Sequence, residues 1–424
     1  MSQVWENLPV FIDESGGERV LVKSRAGTEH AVEPTLQHFP KGIRGGATHV
    51  GVAVDPGTLD FSVVRLPAAC TTAAVYTRNM CVSPAIVFDR ENTARGLISL
   101  VCVVSKNANV FTPNGLADIR AVADALAQEF DLPTQEIFIS ATGVIGRPLP
   151  ISKITSNIPG ISAKLSEQGV EQVSKAILTT DKRPKQASIR IGDVVIGGYA
   201  KGAGMIEPNM ATMLVYLYTN AKVEKAVLDR MLKRAVDPTF NSMSVDSDTS
   251  TSDTVALMAT GEAELADEEL FQNALTAVCL KLARAVAREA EGANKLLEVT
   301  VALPTSEQDA AFFAKKIINS PLIKTAIHGA DPNWGRVVMA IGKPAPGSPL
   351  FTFSREDVVI AIQGQTMFDR GRALQVDLNA LSQSIKSSEV VKIDVVIGTP
   401  AYKAKVWGCD LSAEYVHENA HYTT

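Results

Sequence analysis

Close to halfway along the chain, a glycine-broken loop runs into an apolar stretch, KGAGMIEPNMATMLVYLY (residues 201–218), and places Thr212 at the first position of that stretch. A threonine hydroxyl is a weak nucleophile until a base takes its proton. Histidine is a scarce source of such a base: His30, His38 and His49 come early, His328 lies in a polar loop, and His417 and His421 sit at the tail. Nothing in their placement points to a Ser-His-Asp arrangement. The alternative base is the α-amine of the threonine itself, freed when the preceding peptide bond is cut. That amine has an unperturbed pKa of roughly 7.7–8.0, and the Thr–N-terminus pair is a known variant of triad logic. Ala211 is small enough to leave its carbonyl open to Thr212 Oγ, Gly202 and Gly204 let the loop bend, and a buried strand downstream would fix the new terminus. A β-branched threonine opening a strand is also ordinary structure. The residues alone leave both readings standing.

Other chemistries are excluded more firmly. No GxSxG, HExxH or Walker phosphate loop occurs. Gly202 and Gly204 begin a GxGxxG pattern, but Glu207 stands at its sixth position. The acidic segment DSDTSTSD (246–253) has the look of a calcium loop, yet Thr251 replaces the required glycine and Leu257 the closing glutamate. It reads instead as a Ser/Thr/Asp-rich loop held by side-chain to backbone bonds, and no metal is expected.

The elements around this loop follow from pattern. Apolar alternation or short apolar runs predict strands over 62–65, 73–76, 98–105, 136–140, 296–303, 358–363, 390–396 and 403–407. Gly192-Asp193 between two apolar runs, 187–191 and 194–199, predicts a hairpin. Helical spacing predicts helices over 116–130, 170–178, 223–236, 267–291, 309–318 and 378–385. At 424 residues, 46% hydrophobic and 21% charged, the chain can bury more than one core. The expected class is α+β, a layered α/β sandwich with a smaller C-terminal α/β domain. The expected division is an irregular arm over 1–40, a catalytic domain over 41–304 with its two parts meeting between 211 and 212, and a C-terminal domain over 305–424. A net charge of -5 without basic–aromatic interleaving argues against nucleic acid and anionic membranes as partners. The acidic N-terminus and five scattered cysteines with no CxxC pair fit a reduced cytoplasmic compartment.

The block KGAGMIEPNMATML resembles the cleavage and nucleophile motif of the ornithine acetyltransferase (glutamate N-acetyltransferase) family of arginine biosynthesis. Seven further blocks resemble the same family in the same order: NANVFTPNGLAD, SATGVIGRPLP, AILTTDKRPK, SVDSDTSTSDT, EGANKLLEV, NSPLIKTAIHGADPNWGR and GCDLSAEYVHENAHYTT. Together they span roughly residues 40–424. The resemblance implies the self-processing fold of that family and self-cleavage between Ala211 and Thr212 into two chains of similar length. It also implies ping-pong transfer of acetyl from N-acetylornithine to glutamate through an acetyl-Thr212 ester. No cofactor is implied, although some members also use acetyl-CoA as donor, and the expected assembly is an α2β2 heterotetramer.

Acyl transfer needs donors aimed at the developing oxyanion. Thr142 and Gly143 offer a hydroxyl and a backbone N–H with no side chain in the way, and the family uses this pair as its oxyanion hole; Gly143 could equally serve a tight turn alone. Zwitterionic substrates call for both signs of charge. The resemblance assigns Lys201 to a carboxylate, Glu291 to ornithine's δ-ammonium, and Thr179, Asn419 and Thr424 to further substrate contacts beside Thr212. A lone Lys or Glu is ordinarily a solvated surface group, so these roles rest on the resemblance. Involvement of Thr424 requires an ordered tail folded into the site. The polar loop with His328, Asp331, Asn333 and Arg336 reads as support, and Glu207 and Asn209 flank the cut. Ser252, Val110 and Phe111 depart from the family's usual residues, and the arm over 1–40 has no counterpart in it. A paralogue with another acyl donor or acceptor, an N-terminal-nucleophile amidohydrolase or aminopeptidase, and an uncleaved scaffold are the rival readings.

Overall fold

The computed structural model describes residues 10–13, 19–207, 213–344, 347 and 351–421. Its largest sheet has eight strands: β4 (Arg44–Thr48), β5 (Phe61–Tyr76), β6 (Leu97–Val104), β7 (Ile137–Ala141), β8 (Lys185–Ile191), β9 (Val194–Lys201), β10 (Leu214–Lys222) and β11 (Thr254–Glu264). They run in the order β7-β6-β5-β11-β10-β9-β8, with β4 also on β5. The sheet folds over on itself through β5, whose register slips between Arg65 and Cys70, at exposed Pro67. Proline cannot donate to a ladder, and a bulge bends its strand. The first part of β5 therefore pairs with β4 and β6, and the last part with β11.

The fold-over produces two facing layers. One core holds Val101, Val103 and Phe138 from β6 and β7 together with Tyr199, Leu214, Tyr216 and Tyr218 from β9 and β10. The outer face of β6 and β7 is covered by helices α1 (Pro84–Arg95), α2 (Gly115–Phe130) and α3 (Ile151–Asn157). A short helix, α4 (Gly169–Ala176), closes the central core with Val170 and Val173. Helices α5 (Lys225–Val236) and α6 (Glu268–Arg288) cover the outer face of β9 to β11. The order is helix, sheet, sheet, helix, which is the layered α/β architecture expected. Strand β10 explains the unbroken apolar run after Thr212: Val215 and Leu217 face the α5–α6 core, while Leu214, Tyr216 and Tyr218 face the central one. A strand buried on both faces has no polar side to alternate with.

Helix α6 starts where the Asp267 carboxylate accepts from Leu270 N at 2.9 Å. It is the one described helix long and apolar enough to cross a membrane, but most of it is buried in this core. The N-terminal arm differs from the irregular segment expected. It holds a three-stranded sheet of β1 (Val10–Asp13), β2 (Arg19–Lys23) and β3 (Glu29–Ala31), whose Val20 and Val22 pack into the α5–α6 core.

A second sheet of six strands, β12 (Leu296–Leu303), β13 (Val358–Ile362), β14 (Gln365–Asp369), β15 (Arg372–Ala373), β16 (Val390–Ile397) and β17 (Tyr402–Cys409), builds the C-terminal part. Helices α7 (Glu307–Ile318), α8 (Pro321–His328), α9 (Trp334–Gly342) and α10 (Leu378–Ser387) pack on it around one apolar core. Because β12 pairs with β16 and β17, this sheet begins at Leu296, ahead of the expected boundary at 304. The last helix, α11 (Ala413–His421), leaves this sheet and returns to the larger layer system.

Candidate active site

The C-terminal ends of β6, β7 and β9 and the N-terminal ends of β10 and β11 meet at one mouth of the sandwich. Thr142 follows β7, and its N–H donates to Val104 O at 3.0 Å at the end of β6. Lys201 ends β9 opposite Leu214, which begins β10. A cavity of about 420 Å³ opens there, and Thr142, Gly143, Thr179, Glu291 and Asn419 all line it. Lys201 reaches the same place from behind, its Nζ donating to Thr142 Oγ1 at 3.1 Å. Ala211, Thr212 and Thr424, the expected cleavage step, nucleophile and tail contact, lie outside the described residues, as does Asn209.

Two glycines are required by close approach. Gly143 has φ +128°, and a Cβ there would lie 2.2 Å from the carbonyl carbon of Lys106. At Gly204 a Cβ would come within 2.3 Å of Glu291 Oε2, so the loop after β9 leaves room for that carboxylate. Glu291 is buried, its N–H donates to Ala203 O at 2.9 Å, and its Oε2 accepts from Asn419 Nδ2 at 2.8 Å. Residues from the loop after α6 and from α11 are thereby joined at the cavity wall.

Opposing influences act on the charge of Lys201. Burial pushes its pKa down from the ordinary lysine value, against the pull of Asp181, Asp253 and Glu291. Asp181 is the hub behind it. Its Oδ1 accepts from Lys185 Nζ and from Gly202 N, both at 2.6 Å, and its Oδ2 accepts from Thr179 N at 3.4 Å. Burial opposes ionisation of Asp181, yet Lys185, Lys201 and these hydrogen bonds hold its carboxyl below the usual range. Because Lys201 donates into Thr142 Oγ1, the Thr142 hydroxyl keeps its own hydrogen to donate to another acceptor.

Several contributors carry no sequence signal of their own. The acidic segment read as a self-bonded loop does bond within itself, as in Ser252 N to Ser250 Oγ at 3.2 Å. It also lines the cavity with Asp246 and with Asp248 to Ser252, and grips the loop after β9. Asp246 accepts from Met205 N and Ile206 N, both at 2.7 Å; Glu207 N donates to Asp248 O, and Thr249 Oγ1 to Glu207 O, each at 2.9 Å. Tyr415 on α11 donates to Asp246 Oδ2 at 3.4 Å, and burial followed by Asp246 raises its pKa. Asn79 and Thr180 complete the polar wall. Glu207 itself is anchored to α7 by Asn319 Nδ2 at 2.7 Å and Lys315 Nζ at 3.5 Å. The loop with His328 lies off this wall. His328 Nδ1 meets Asp410 Oδ2 at 2.9 Å, and Asn333 caps α9 by accepting from Arg336 N at 3.1 Å, so both serve the C-terminal packing.

These features define a layered α/β protein with a polar cleft at the open end of its sheets, suited to acyl chemistry on a small polar substrate. The sequence pattern of the ArgJ family matches residues 44–424, and the chain belongs to that family and is an acyltransferase. It is 39% identical over 388 residues to the arginine biosynthesis bifunctional protein ArgJ 2 of Clostridium acetobutylicum, covering 91% of this chain and 98% of that one. It is 40% identical over 394 residues to the glutamate N-acetyltransferase Oat2 of Streptomyces clavuligerus, covering 91% and 99%. Among solved structures, the arginine biosynthesis bifunctional protein ArgJ of Bacillus halodurans matches with 37% identity and a TM-score of 0.46, over 50% of this chain and 100% of that one.

Proposed function

We propose that this chain cleaves itself between Ala211 and Thr212 and that the new N-terminal threonine carries acetyl from N-acetylornithine to glutamate. The observation that supports this best is the convergence on one cavity of Thr142, Gly143, Thr179, Glu291 and Asn419. These residues come from four separate segments, and Gly204 and Met205, on the loop that leads to residue 208, line the same cavity.

In the proposed cycle the Thr212 α-amine takes the Oγ proton as Oγ bonds to the acetyl carbon of N-acetylornithine. The negative charge that develops on the acetyl oxygen is met by the Thr142 hydroxyl and the Gly143 N–H, with the Lys201 ammonium behind Thr142 adding positive potential. Glu291, steadied by Asn419, holds the δ-ammonium of ornithine. The C–N bond breaks with the proton returned to the leaving amine, and an acetyl-Thr212 ester remains. The α-amine of glutamate then attacks that ester and regenerates Thr212. Acetyl-CoA as a second donor, an α2β2 assembly and a cytoplasmic location belong to the same reading.

Intact mass spectrometry tests the core of it. Two chains meeting at 211/212 are expected, with the second gaining one acetyl group when N-acetylornithine is supplied. Thr212→Ala is expected to stay whole and inactive, and a cleaved, active Thr212→Ala protein would overturn the mechanism. Ornithine release at an equal rate with and without glutamate would indicate hydrolysis instead of transfer. Thr142→Ala is expected to lower the rate about 10²–10³-fold.

A further inference from the structure

Five non-glycine residues in segments around the cavity have left-handed backbones: Lys106, Asn109, Phe111, Met205 and Ser247. Asparagine tolerates that conformation through local hydrogen bonding, whereas lysine gains no such relief. Lys106 has φ +74° and stands two residues beyond the end of β6. Its peptide is the surface against which Gly143 is seated, and its carbonyl accepts from Val144 N at 3.3 Å. A glycine would meet those backbone demands with less strain, so what lysine adds is its side chain. That side chain passes behind the cavity wall and its Nζ donates to Leu178 O at 2.5 Å, one residue before Thr179. Burial, and then the neighbouring Lys201, push the Lys106 pKa down, while Asp181 and Asp60 favour its charge.

We propose that Lys106 is a positioning residue: its main chain seats Gly143, and its ammonium ties the segment bearing Thr179 to the Thr142–Gly143 turn. The inference rests on the acetyl-transfer reading for its functional consequence, but the tie itself does not. The neighbouring Ser105 Oγ makes a parallel contact to Ala176 O at 2.8 Å, so two consecutive residues reach the same segment from the end of β6. Thr179 and Thr180 line the cavity, whereas Lys106 stands behind it. Loss of the tie would therefore loosen the substrate wall and leave the nucleophile itself untouched.

The experiment compares Lys106→Gly and Lys106→Met with the unaltered protein in hydrogen exchange and in steady-state kinetics. Glycine relieves the backbone and removes the ammonium, while methionine removes the ammonium and keeps the strain. Both are expected to speed amide exchange over 178–181 and to raise KM for N-acetylornithine about tenfold with a smaller change in kcat. The glycine variant is expected to melt no lower than the unaltered protein, so that weaker function accompanies equal or greater stability. A purely structural lysine would give the glycine variant the same stability gain with unchanged exchange and KM, and that result overturns the inference. Should the unaltered protein transfer no acetyl, the functional reading falls, and the exchange measurement still decides whether Lys106 ties the segment.

Discussion

Gly204 and Glu291 illustrate how single residues set this site. The carboxylate occupies the space that a side chain at 204 would need, 2.3 Å from the position of a Cβ. Gly204→Ala is expected to displace the flexible Glu291 carboxylate rather than the backbone. That raises KM for N-acetylornithine about tenfold while leaving thermal stability within a few degrees, as kinetics and a melting curve would show. The same substitution at Gly143 meets main chain at 2.2 Å and left-handed strain together, so loss of fold and of activity should coincide there. Lys201 makes a prediction about pH. Burial lowers its pKa, so its ammonium, which the proposed cycle uses behind Thr142, is lost on the alkaline side at a pH below 10.5. Activity is expected to fall there, and in Lys201→Met that alkaline limb should disappear along with most of the rate. The linked effect on stability has the opposite sign. A lysine with a lowered folded-state pKa costs stability while charged, and that cost is relieved as pH rises through the folded value toward 10.5.

At the scale of elements, the site depends on α11 returning from the C-terminal sheet to place Tyr415 and Asn419 on the cavity wall. The return is possible because Gly292, at φ +63°, lets α11 approach: a Cβ there would lie 2.2 Å from Tyr415 N. Ser412 Oγ donates to Gly292 O at 2.6 Å across the same junction. Gly292→Ala is expected to push α11 away, releasing Asn419 from Glu291. Weaker ornithine binding by calorimetry, with an unchanged far-ultraviolet spectrum, is the expected outcome. Most elements were legible from spacing: the 192–193 hairpin, the helix after residue 267 and the strand after Thr212 all follow from local period and turn chemistry. The three strands of the arm were not. They are short, and Val20 and Val22 acquire their meaning only against a core contributed by α5, α6 and β8 to β11.

For the whole molecule, a buried charge cluster joins the two sheet systems. Glu298 on β12 accepts from Arg284 Nη1 of α6 at 2.7 Å, from Lys405 Nζ at 2.6 Å and from Trp407 Nε1 at 3.1 Å, both of the latter on β17. Burial works against its charge, but Lys405 and Arg284 hold its carboxyl down to about 2. Its folded pKa lies below the unfolded one. Its contribution is therefore complete above the ordinary glutamate range near 4.5 and is lost as pH falls toward about 2. Glu298→Gln removes the carboxylate that faces buried Arg284 and partly exposed Lys405, and is expected to cost about 3 kcal/mol in urea unfolding. Its acid transition should be shallower than that of the unaltered protein, since the group that titrates is gone.

The sequence by itself determined the layered α/β class, the doubly buried strand after Thr212, the glycines around it and the blocks that mark the family. Each of these is a local matter of period, turn chemistry or contiguous motif. Only the tertiary structure decided which polar groups face the cavity. Asp181 becomes the hub behind Lys201, Asp246 holds the loop after β9, and Lys106 reaches Leu178 because strands and helices distant in sequence end at one mouth of the sandwich. Glu291 and Asn419 meet over 128 positions of chain. No spacing rule reaches that far, because such a contact is fixed by the packing of whole layers and not by the residues between.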